Sequence, residues 1–579
     1  MDRPHLPASP PSEPSLIMAA NPELPAPPTD AELYDYFGPQ RRWVMAVMFA
    51  SCLFPAAATV ALALANPLLW PFGIVLILNT AAVGLSMLDG IRARRITPAG
   101  HQLLTSAYRP DAPPSVDVLL PTCGEPVEVL ANTYRYVAAL AWDGPLGVLV
   151  LDELDREEVR ELAARHGFAY VHRPDPGVGK KAGNLNHGLG RSEAEFVVVF
   201  DADFCPRPDF LHHLMPYTAE PSVAIVQSPQ VFDTGRSMGW LQRTGAAAQE
   251  QFYRWLQPAR DADDVAVCCG SNAVYRRSAL DRVGGFVVRD HSEDLYTGLA
   301  LYRLGLRTVY VPLALAKGLS PDTLEAFLNQ QYRWCLGNLE LARPGALPGM
   351  GLPWRAQLGF WAGISGYIMG VVNIWAVPLP MLIVLAWQPD QISPVHLLPF
   401  LVPIWTWGVL LPLLHRSRTR LETLRAGLLS SFAHLVALRD MLGGKAAEWV
   451  PTGARRRANP LVRTAVNWVL LWTGGTLAAM WALLAYDVAV HGWERLWGAA
   501  VLIGVHTYLA APVVAAAWGA LRRRGRARPE PNATVEGEGH EPQEKPVTEP
   551  PALVGGPHLD RVDRGHRDPR VRSTAALGA

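Results

Sequence analysis

Long apolar runs in both halves of the chain constrain its fold more than any other feature. Two runs lie near the N terminus and four in the C-terminal half, and each has about the 20 residues that a helix needs to cross a bilayer. The runs cover residues 43–65, 68–88, 357–387, 395–414, 465–486 and 496–518. They predict a membrane protein whose water-soluble domain lies between two spans and four. The alternative is that one tryptophan-rich run is a buried helix of that domain.

Basic residues mark one side of these predicted spans. Arg41 and Arg42 precede the first span, and the loop at 415–463 is strongly basic. The loops at 388–393 and 487–494 contain neither Lys nor Arg. Because basic loops stay on the cytosolic side, we expect the soluble domain and both termini in the cytosol, in a multi-pass protein of the plasma membrane.

The remaining segments complete the predicted domain organisation. Amphipathic helices are predicted near 321–341 and 421–442, lying against the membrane surface, and the second belongs to the loop at 415–463. Both ends of the chain have the composition of disordered segments. The predicted order is a disordered leader at 1–40, a transmembrane hairpin at 41–98, a soluble domain at 112–345, four spans within 355–520 and a disordered tail at 521–579.

Charge balance and cysteine spacing exclude two classes of protein. Lys+Arg and Asp+Glu number 52 each, so the chain has no net positive charge with which to attract nucleic acid. The 6 cysteines include no Cys-x-x-Cys pair. We therefore expect reduced thiols and no structural zinc.

The soluble domain has the pattern of an α/β fold. Short apolar runs such as 116–120, 146–151 and 223–226 alternate with helix-like segments such as 156–165. This alternation predicts a mostly parallel sheet with helices on both faces. Such sheets bind ligands beyond the carboxyl ends of their strands, so the residues at those ends are the candidates for a functional site.

The apolar strand predicted at 196–200 is followed by two carboxylates, Asp201 and Asp203. They offer the hard oxygen ligands that Mg²⁺ or Mn²⁺ prefers, with substrate phosphates completing the coordination. The same Asp-x-Asp pattern is common where a strand simply runs into a turn. Taken alone, it leaves both interpretations open.

Four further patterns fall at predicted strand ends or helix starts. Asp117 enters a strand that leads to a Pro- and Gly-containing turn, and Asp152 closes another strand. Lys181 follows Gly and Lys at a helix start, where a diphosphate would bind, although a solvated lysine pair is the simpler interpretation. Glu293 and Asp294 precede a helix, as caps or as a general base.

The first amphipathic helix carries Gln330, Arg333 and Trp334. A guanidinium binds phosphate oxygens in bidentate fashion, and an indole offers a flat face for a sugar ring. Anchoring at the membrane interface is the alternative role for this pair.

In their order along the chain these motifs resemble the processive family 2 glycosyltransferases, and most closely the bacterial cellulose synthase catalytic subunits. The resemblance extends from about Trp43 to Trp518. The shared motifs are Asp117, Lys-Ala-Gly-Asn-Leu-Asn at 181–186, Asp201-x-Asp203, Val-Gln-Ser-Pro-Gln at 226–230, Cys-Gly-Ser-Asn-Ala at 269–273, Ser-Glu-Asp at 292–294 and Gln330-x-x-Arg333-Trp334.

This resemblance implies a Rossmann-like GT-A domain that uses Mg²⁺ or Mn²⁺. The domain would transfer a sugar from a UDP-sugar, UDP-glucose above all, with inversion, to the growing end of a β-linked polysaccharide such as cellulose. The polymer would be extruded across the plasma membrane. Other implied partners are the lipid bilayer and accessory secretion or polysaccharide-processing proteins.

The resemblance also implies the residues that would bind the donor. Asp117 and Asp152 would hold the uridine, and Lys181 and Arg333 the diphosphate. The metal would be bound by Asp203, with Asp201 beside it.

On the acceptor side, Asp294 would deprotonate the acceptor hydroxyl, with Glu293 next to it. Gln330 and Trp334 would line the acceptor site. The turn Cys269-Gly270-Ser271 would lie nearby. A gating loop would correspond to residues 449–453, which makes Thr452 a candidate nucleotide contact.

Several positions depart from the cellulose synthase pattern. Ser292 replaces the usual Thr, Glu153 replaces a second Asp, and Cys123-Gly124 stands where Tyr-Asn is usual. Cys335-Leu336 follows the Arg-Trp pair in place of Ala-Arg. These departures leave the donor sugar open.

Two other functions are compatible with parts of the pattern. One is a non-processive membrane glycosyltransferase that adds single sugars to a lipid or protein, or a synthase of a polymer containing N-acetylglucosamine or mannose. The other is a transporter or receptor with a degenerate nucleotide-sugar domain. Acids at positions 117, 152, 201, 203 and 294 argue against a degenerate site.

Overall fold

A computed structural model describes most of the chain. It covers residues 24–37, 41–90, 96–235, 238–414, 421–444 and 460–526. Thr452 and the predicted gating loop lie outside the described residues. The predicted tail also lies outside them, apart from its first residues, which continue the last helix.

The predicted disorder of the leader is wrong for residues 24–37, which pack on the soluble domain. Arg207 Nη2 lies 2.8 Å from Asp30 Oδ1, and Lys317 Nζ lies 3.2 Å from Glu32 Oε1. These ion pairs join residues far apart in sequence, which the local composition of a Pro-rich segment does not reveal.

The first two spans form a hairpin. Helices α1 (Arg41–Ala65) and α2 (Trp70–Gly90) are joined by a 3-10 turn, Pro67–Leu69. The Asn66 side chain caps this turn by accepting the Leu68 N–H at 3.0 Å. A short helix, α3 (Pro98–Ala107), then leads to the soluble domain.

The soluble domain is built on a seven-stranded sheet, in the order β3-β2-β1-β4-β8-β6-β9. Its pairs are parallel except that β8 runs antiparallel to both β4 and β6. A second sheet has the order β5-β10-β7. The strands are β1 (Val116–Thr122), β2 (Leu146–Asp152), β3 (Ala169–Val171), β4 (Phe196–Val199), β5 (Cys205–Pro206), β6 (Val223–Gln227), β7 (Val231–Phe232), β8 (Ala273–Arg276), β9 (Arg307–Tyr310) and β10 (Ala316–Gly318).

Helices cover both faces of the large sheet, because its central strands are apolar on both sides. All four residues of β4 are buried. The helices of this part are α4 (Val127–Val137), α5 (Glu157–Arg165), α6 (Lys180–Leu189), α7 (Phe210–Leu214), α8 (Trp240–Gln251), α9 (Gln257–Asp261), α10 (Arg277–Arg282) and α11 (Glu293–Arg303).

The strand order reverses between β1 and β4, since β1 pairs with β2 on one side and with β4 on the other. In open α/β sheets the crevice at such a reversal, beyond the carboxyl ends of the strands, is where ligands bind. The segments that follow Thr122 and Val199 therefore border the expected site.

Helix α12 (Leu324–Leu339) joins the soluble domain to the C-terminal helices, and a one-turn helix, α13 (Ala346–Gly349), follows it. The apolar residues of α12, such as Phe327 and Leu336, share one core with Phe432 and Phe360 from two later helices. The predicted amphipathic helix is present. Its apolar face packs on other helices of the protein, whereas the sequence predicted that this face lies against the membrane surface.

The C-terminal part contains the other predicted spans. Its helices are α14 (Trp354–Ala376), α15 (Pro378–Trp387), α16 (Pro394–Trp405), α17 (Leu411–Leu414), α18 (Glu422–Leu442), α19 (Pro460–Trp468), α20 (Gly475–His491) and α21 (Trp493–Arg526). Helix α18, the second predicted interfacial helix, packs on α12 within the same core.

Six helical stretches among the described residues are long and apolar enough to cross a membrane. They are Trp43–Ala65, Pro67–Met87, Trp354–Trp387, Pro394–Leu414, Pro460–His491 and Trp493–Arg522. Two precede the α/β domain and four follow it. The predicted arrangement of an α/β domain between two spans and four is therefore confirmed.

Candidate active site

Lys181 and Asp201 meet at the carboxyl edge of the sheet. Lys181 Nζ lies 2.5 Å from Asp201 Oδ1 and donates to the Gly270 carbonyl at 3.1 Å. Gly179 begins α6 in the left-handed region, at φ 66°, which turns the chain so that Lys181 falls in the first helical turn. Burial lowers the pKa of Lys181, but the charges of Asp201, Glu293 and Asp294 and the hydrogen bond to Asp201 together outweigh it, and the net shift is upward. The lysine therefore remains a cation.

Asp203 is the second acid after β4 and is held by the neighbouring small sheet. Its Oδ2 accepts the N–H of Leu319, just beyond β10, at 2.9 Å. Burial, followed by the charge of Asp201, raises the pKa of Asp203 to about 7. Two half-buried carboxylates that repel each other favour a cation between them.

This donor set fits a divalent metal ion. Asp201 and Asp203 supply hard oxygen ligands, as Mg²⁺ and Mn²⁺ require. Among the described residues, no group of three His, Cys, Asp or Glu side chains is placed to hold a metal. Two carboxylates leave several positions for substrate phosphate and water, which is how Mg²⁺ is usually held at phosphate-transfer sites.

Asp294, at the start of α11, lies close to Gly270, whose carbonyl accepts from Lys181. A Cβ built on Gly270 would lie 3.0 Å from Asp294 Oδ2, and Gly270 has φ +74°. Position 270 therefore requires glycine for its backbone conformation and for the close approach of the acid. Burial and the charge of Glu293 raise the pKa of Asp294 to about 7, while Lys181 opposes the shift.

Two glutamines hold the turn Cys269-Gly270-Ser271, which lies just before β8. Gln227 accepts the Cys269 N–H at 2.8 Å and donates to the Ser271 carbonyl at 2.8 Å. Gln230 donates to the Cys269 carbonyl at 2.8 Å. Ser271 Oγ in turn accepts the Asp201 N–H at 2.9 Å. The Val-Gln-Ser-Pro-Gln motif thus holds the turn that separates Lys181 from Asp294.

Gln330, Arg333 and Trp334 are spaced to share one face of α12, and all three are half-exposed. Burial lowers the pKa of Arg333, and the charges of Glu293, Asp201 and Asp294 oppose that shift. The guanidinium therefore lies within electrostatic range of the acids at the sheet edge. The structure thus places Arg333 near the same acids that surround Lys181.

Asp152 ends β2 at this edge but is buried and internally bonded. Its Oδ2 accepts the Arg156 N–H at 2.7 Å and the Tyr170 hydroxyl at 3.0 Å. The carboxylate is fully buried. The geometry assigns it a structural part in shaping this edge, and any contact with a nucleoside would need one of these bonds to open.

The structure does not bring Asp117 to the site. It lies at the entry of β1, level with Val197, whereas the site lies beyond Val199. At about 3.3 Å per residue, Asp117 lies about 13 Å behind Asp201 along the strands. Its Oδ2 accepts the Ser192 hydroxyl at 2.6 Å. This position contradicts the expected contact between Asp117 and uridine.

Two residues at this edge were not predicted. Glu125 accepts the Thr122 hydroxyl and the Cys123 N–H, both at 2.6 Å, and burial raises its pKa. Glu153 pairs with the buried Arg173 at 2.5 Å. Glu153 directly follows β2, and Glu125 lies in the turn after β1. Those positions were the available signal.

Part of the chain matches a known protein family. The profile of Glycosyl transferase family group 2 matches residues 196–414, which hold the Asp201-x-Asp203 pair, Asp294, α12 and two of the spans. Residues 196–414 therefore have the sequence pattern of family group 2 glycosyltransferases.

Curated relatives that match the chain include cellulose synthases. Cellulose synthase 1 of Komagataeibacter xylinus is 31% identical over 318 residues, which is 53% of this chain and 20% of the relative. The UDP-forming cellulose synthase catalytic subunit of Pseudomonas fluorescens is 32% identical over 47% of this chain and 38% of its own. That of Xanthomonas axonopodis pv. citri is 34% identical over 45% and 36%. The chain thus spans well under half the length of these cellulose synthases.

Solved structures give distant likenesses. The mannosyltransferase PcManGT from Pyrobaculum calidifontis, in complex with GDP-Man and Mn²⁺, has a TM-score of 0.44 and 19% identity, covering 65% of this chain and 99% of that one. S. aureus TarS 1-349 in complex with UDP-GlcNAc has a TM-score of 0.31 and 13% identity, over 60% and 98%.

Proposed function

We propose that this chain is an inverting, membrane-embedded glycosyltransferase. It transfers a sugar from a UDP-sugar, UDP-glucose in the first instance, to the growing end of a β-linked polysaccharide, cellulose or another β-glucan. Its α/β domain faces the cytosol of a cell whose plasma membrane the six spans cross, and the polymer is extruded between the spans.

One observation carries this proposal. Lys181, Asp201 and Asp294 lie around the turn at Gly270, within electrostatic range of Arg333 on α12. One face of α12 carries Gln330 and Trp334, and its opposite residues share a core with the C-terminal helices. The acceptor site thus lies between the transfer site and the spans, which suits a polymer that leaves the cytosol as it grows.

The donor diphosphate binds where positive charge is concentrated. Lys181 and Arg333 supply fixed cations beside the leaving group, in a site where partial burial strengthens their effect. Asp201 and Asp203 would hold Mg²⁺ or Mn²⁺, and the bound ion supplies further positive charge to the diphosphate. The UDP-forming cellulose synthases among the relatives support uridine as the nucleoside of the donor.

Asp294 is the general base of the transfer. A carboxylate oxygen takes the proton of the acceptor hydroxyl while the acceptor oxygen bonds to the anomeric carbon. The bond from that carbon to the diphosphate oxygen breaks, and UDP leaves with the electron pair. A single displacement inverts the configuration and needs no protein nucleophile. Trp334 would stack on the terminal acceptor sugar, with Gln330 beside it.

Inverted membrane vesicles test the proposal directly. Separate samples receive UDP-glucose, UDP-N-acetylglucosamine or GDP-mannose, with Mg²⁺ or Mn²⁺, and the insoluble product is digested with linkage-specific glycanases. A β-glucanase-sensitive polymer from UDP-glucose is expected. Polymer from another donor would change the sugar, single-sugar products would indicate a non-processive transferase, and no transfer from any donor would overturn the proposal.

A further inference from the structure

A glycine on α12 seats the turn that carries the proposed base. A Cβ built on Gly337 would overlap the Ser292 Oγ and lie 2.7 Å from the Ser292 Cβ and 3.6 Å from the His291 Cβ. The hydroxyl can rotate away from an added methyl group. The Ser292 Cβ cannot, because it moves only with the backbone of the turn.

The backbone of this turn is already in a conformation that side chains rarely adopt. Ser292 has φ 56° and ψ 42°, in the left-handed region, directly before α11. Such a residue persists where its surroundings determine its conformation. Here the surroundings are α12: the His291 ring meets the Tyr332 ring edge-on, with centroids 6.3 Å apart, and the Tyr296 hydroxyl lies 3.5 Å from the Gly337 carbonyl oxygen.

The next two residues after this turn are Glu293 and Asp294. Helix α12 therefore holds the base in place at Gly337, and one to two turns earlier it presents Gln330, Arg333 and Trp334. The same helix, α12, thus positions both the base and the acceptor-binding residues.

We propose that Gly337 is a positioning residue of the transfer reaction. By leaving room for Ser292 against α12, it sets the distance between Asp294 and the acceptor sugar bound along the same helix. This inference rests on the function proposed above. A methyl group at 337 would push the turn away from α12 and displace the base, and a displacement of about 1 Å at a reacting group costs on the order of 100-fold in rate.

The test is a double-mutant cycle in the full-length enzyme in membrane vesicles. The variants are G337A, S292G and the double variant, and G427A is the matched control. Gly427 lies on the exposed side of α18, whose other side packs in the same core, and a Cβ there meets nothing within 4 Å. The measurements are kcat, KM for the UDP-sugar, and the thermal unfolding midpoint of the purified protein in detergent.

We expect G337A to lower kcat by about 10- to 100-fold while KM for the donor changes by less than about twofold, because the donor groups on α6 and β4 are not displaced. Glycine at 292 removes the clashing atoms and tolerates the positive φ. The double variant should therefore return to within about twofold of S292G, and G427A should match the wild type.

Two results would overturn the inference: a kcat for G337A equal to that of the wild type, or a loss that S292G does not restore. A wild-type enzyme that is inactive with every donor would instead overturn the proposed function. In that case the unfolding midpoints still report the contact. If G337A lowers the unfolding midpoint and S292G restores it, Gly337 and Ser292 are in contact as described. Independent effects of the two substitutions on the midpoint exclude that contact.

Discussion

Lys181 and Asp201 form an ion pair at 2.5 Å between the first turn of α6 and the end of β4. The same ammonium bonds to the carbonyl of Gly270, the residue against which Asp294 packs. One lysine therefore ties the proposed donor site to the turn beside the proposed base. Its neighbour Lys180 points elsewhere and pairs with the exposed Asp290 at 3.0 Å.

Replacing Lys181 should damage transfer far more than replacing Lys180. K181Q removes the cation beside the leaving group, and the loss of one such stabilising donor costs on the order of 100-fold in kcat/KM. K180Q removes only a surface ion pair and should stay within about twofold. Initial rates of sugar incorporation for the two variants decide this, and equal losses would contradict the assignment of Lys181.

Gly270 should tolerate no side chain. An added methyl group meets the Asp294 carboxylate at 3.0 Å and is strained at φ +74°. We expect G270A to reduce kcat by at least about tenfold through displacement of the base. The matched control is G305A, since Gly305 has φ +77° and a Cβ there meets nothing within 4 Å. G305A carries the same backbone strain and should keep its kcat, which activity and unfolding assays on both variants will show.

The rate should fall in acid as Asp294 takes up a proton. Burial and Glu293 raise the pKa of Asp294 to about 7, with a further contribution from Asp201 and an opposing one from Lys181. The carboxylate is the active form of a base, so kcat/KM, which reports the pKa values of the free enzyme, should be highest above pH 7 and decline as the pH falls through this value.

Removing the charge of Glu293 tests the cause of that shift. E293Q takes away a neighbouring negative charge, which lowers the pKa of Asp294 and moves the acid limb of the kcat/KM profile to lower pH. D322N changes an exposed acid before α12 and should leave the limb unmoved. An acid limb that stays in place in E293Q would contradict the electrostatic account.

Arg425 stabilises the last span where a proline interrupts it. Pro512 lies within α21, and because proline has no N–H, the Tyr508 carbonyl lacks its helical donor. The Arg425 guanidinium, from α18, lies 3.3 Å from that carbonyl and 3.2 Å from the Leu509 carbonyl. R425A should cost about 1–3 kcal/mol of stability.

The same interaction can be removed from the other side. P512A restores a donor for Tyr508, so R425A should cost less in the P512A background than in the wild type. Thermal unfolding of the four proteins in detergent measures this coupling, with the exposed Arg463 replaced by Ala as a control. Additive effects of R425A and P512A would show that Arg425 does not serve the proline site.

The parts of the fold that the sequence predicts are those encoded locally. Spans follow from the length of apolar runs, and the strand before Asp201 from five apolar residues in a row. The site motifs at Lys181 and Asp294 were found because helix starts and strand ends are readable from short patterns.

The parts it misses depend on contacts between distant residues. The sequence places Asp117 at the entry of an apolar strand, but only the pairing of β1 with β4 shows how far it lies from Asp201. Residues 24–37 look disordered until Arg207 and Lys317 pair with them. The contact of Gly337 with Ser292 has no local pattern at all.

The most direct test of the central claim is transfer from UDP-glucose by inverted vesicles that contain either the wild-type chain or D294N. The wild type should form β-glucanase-sensitive polymer that depends on added Mg²⁺ or Mn²⁺. D294N should bind UDP-glucose with unchanged affinity and form polymer at least about 100-fold more slowly. Polymer formation by D294N at the wild-type rate would contradict the account.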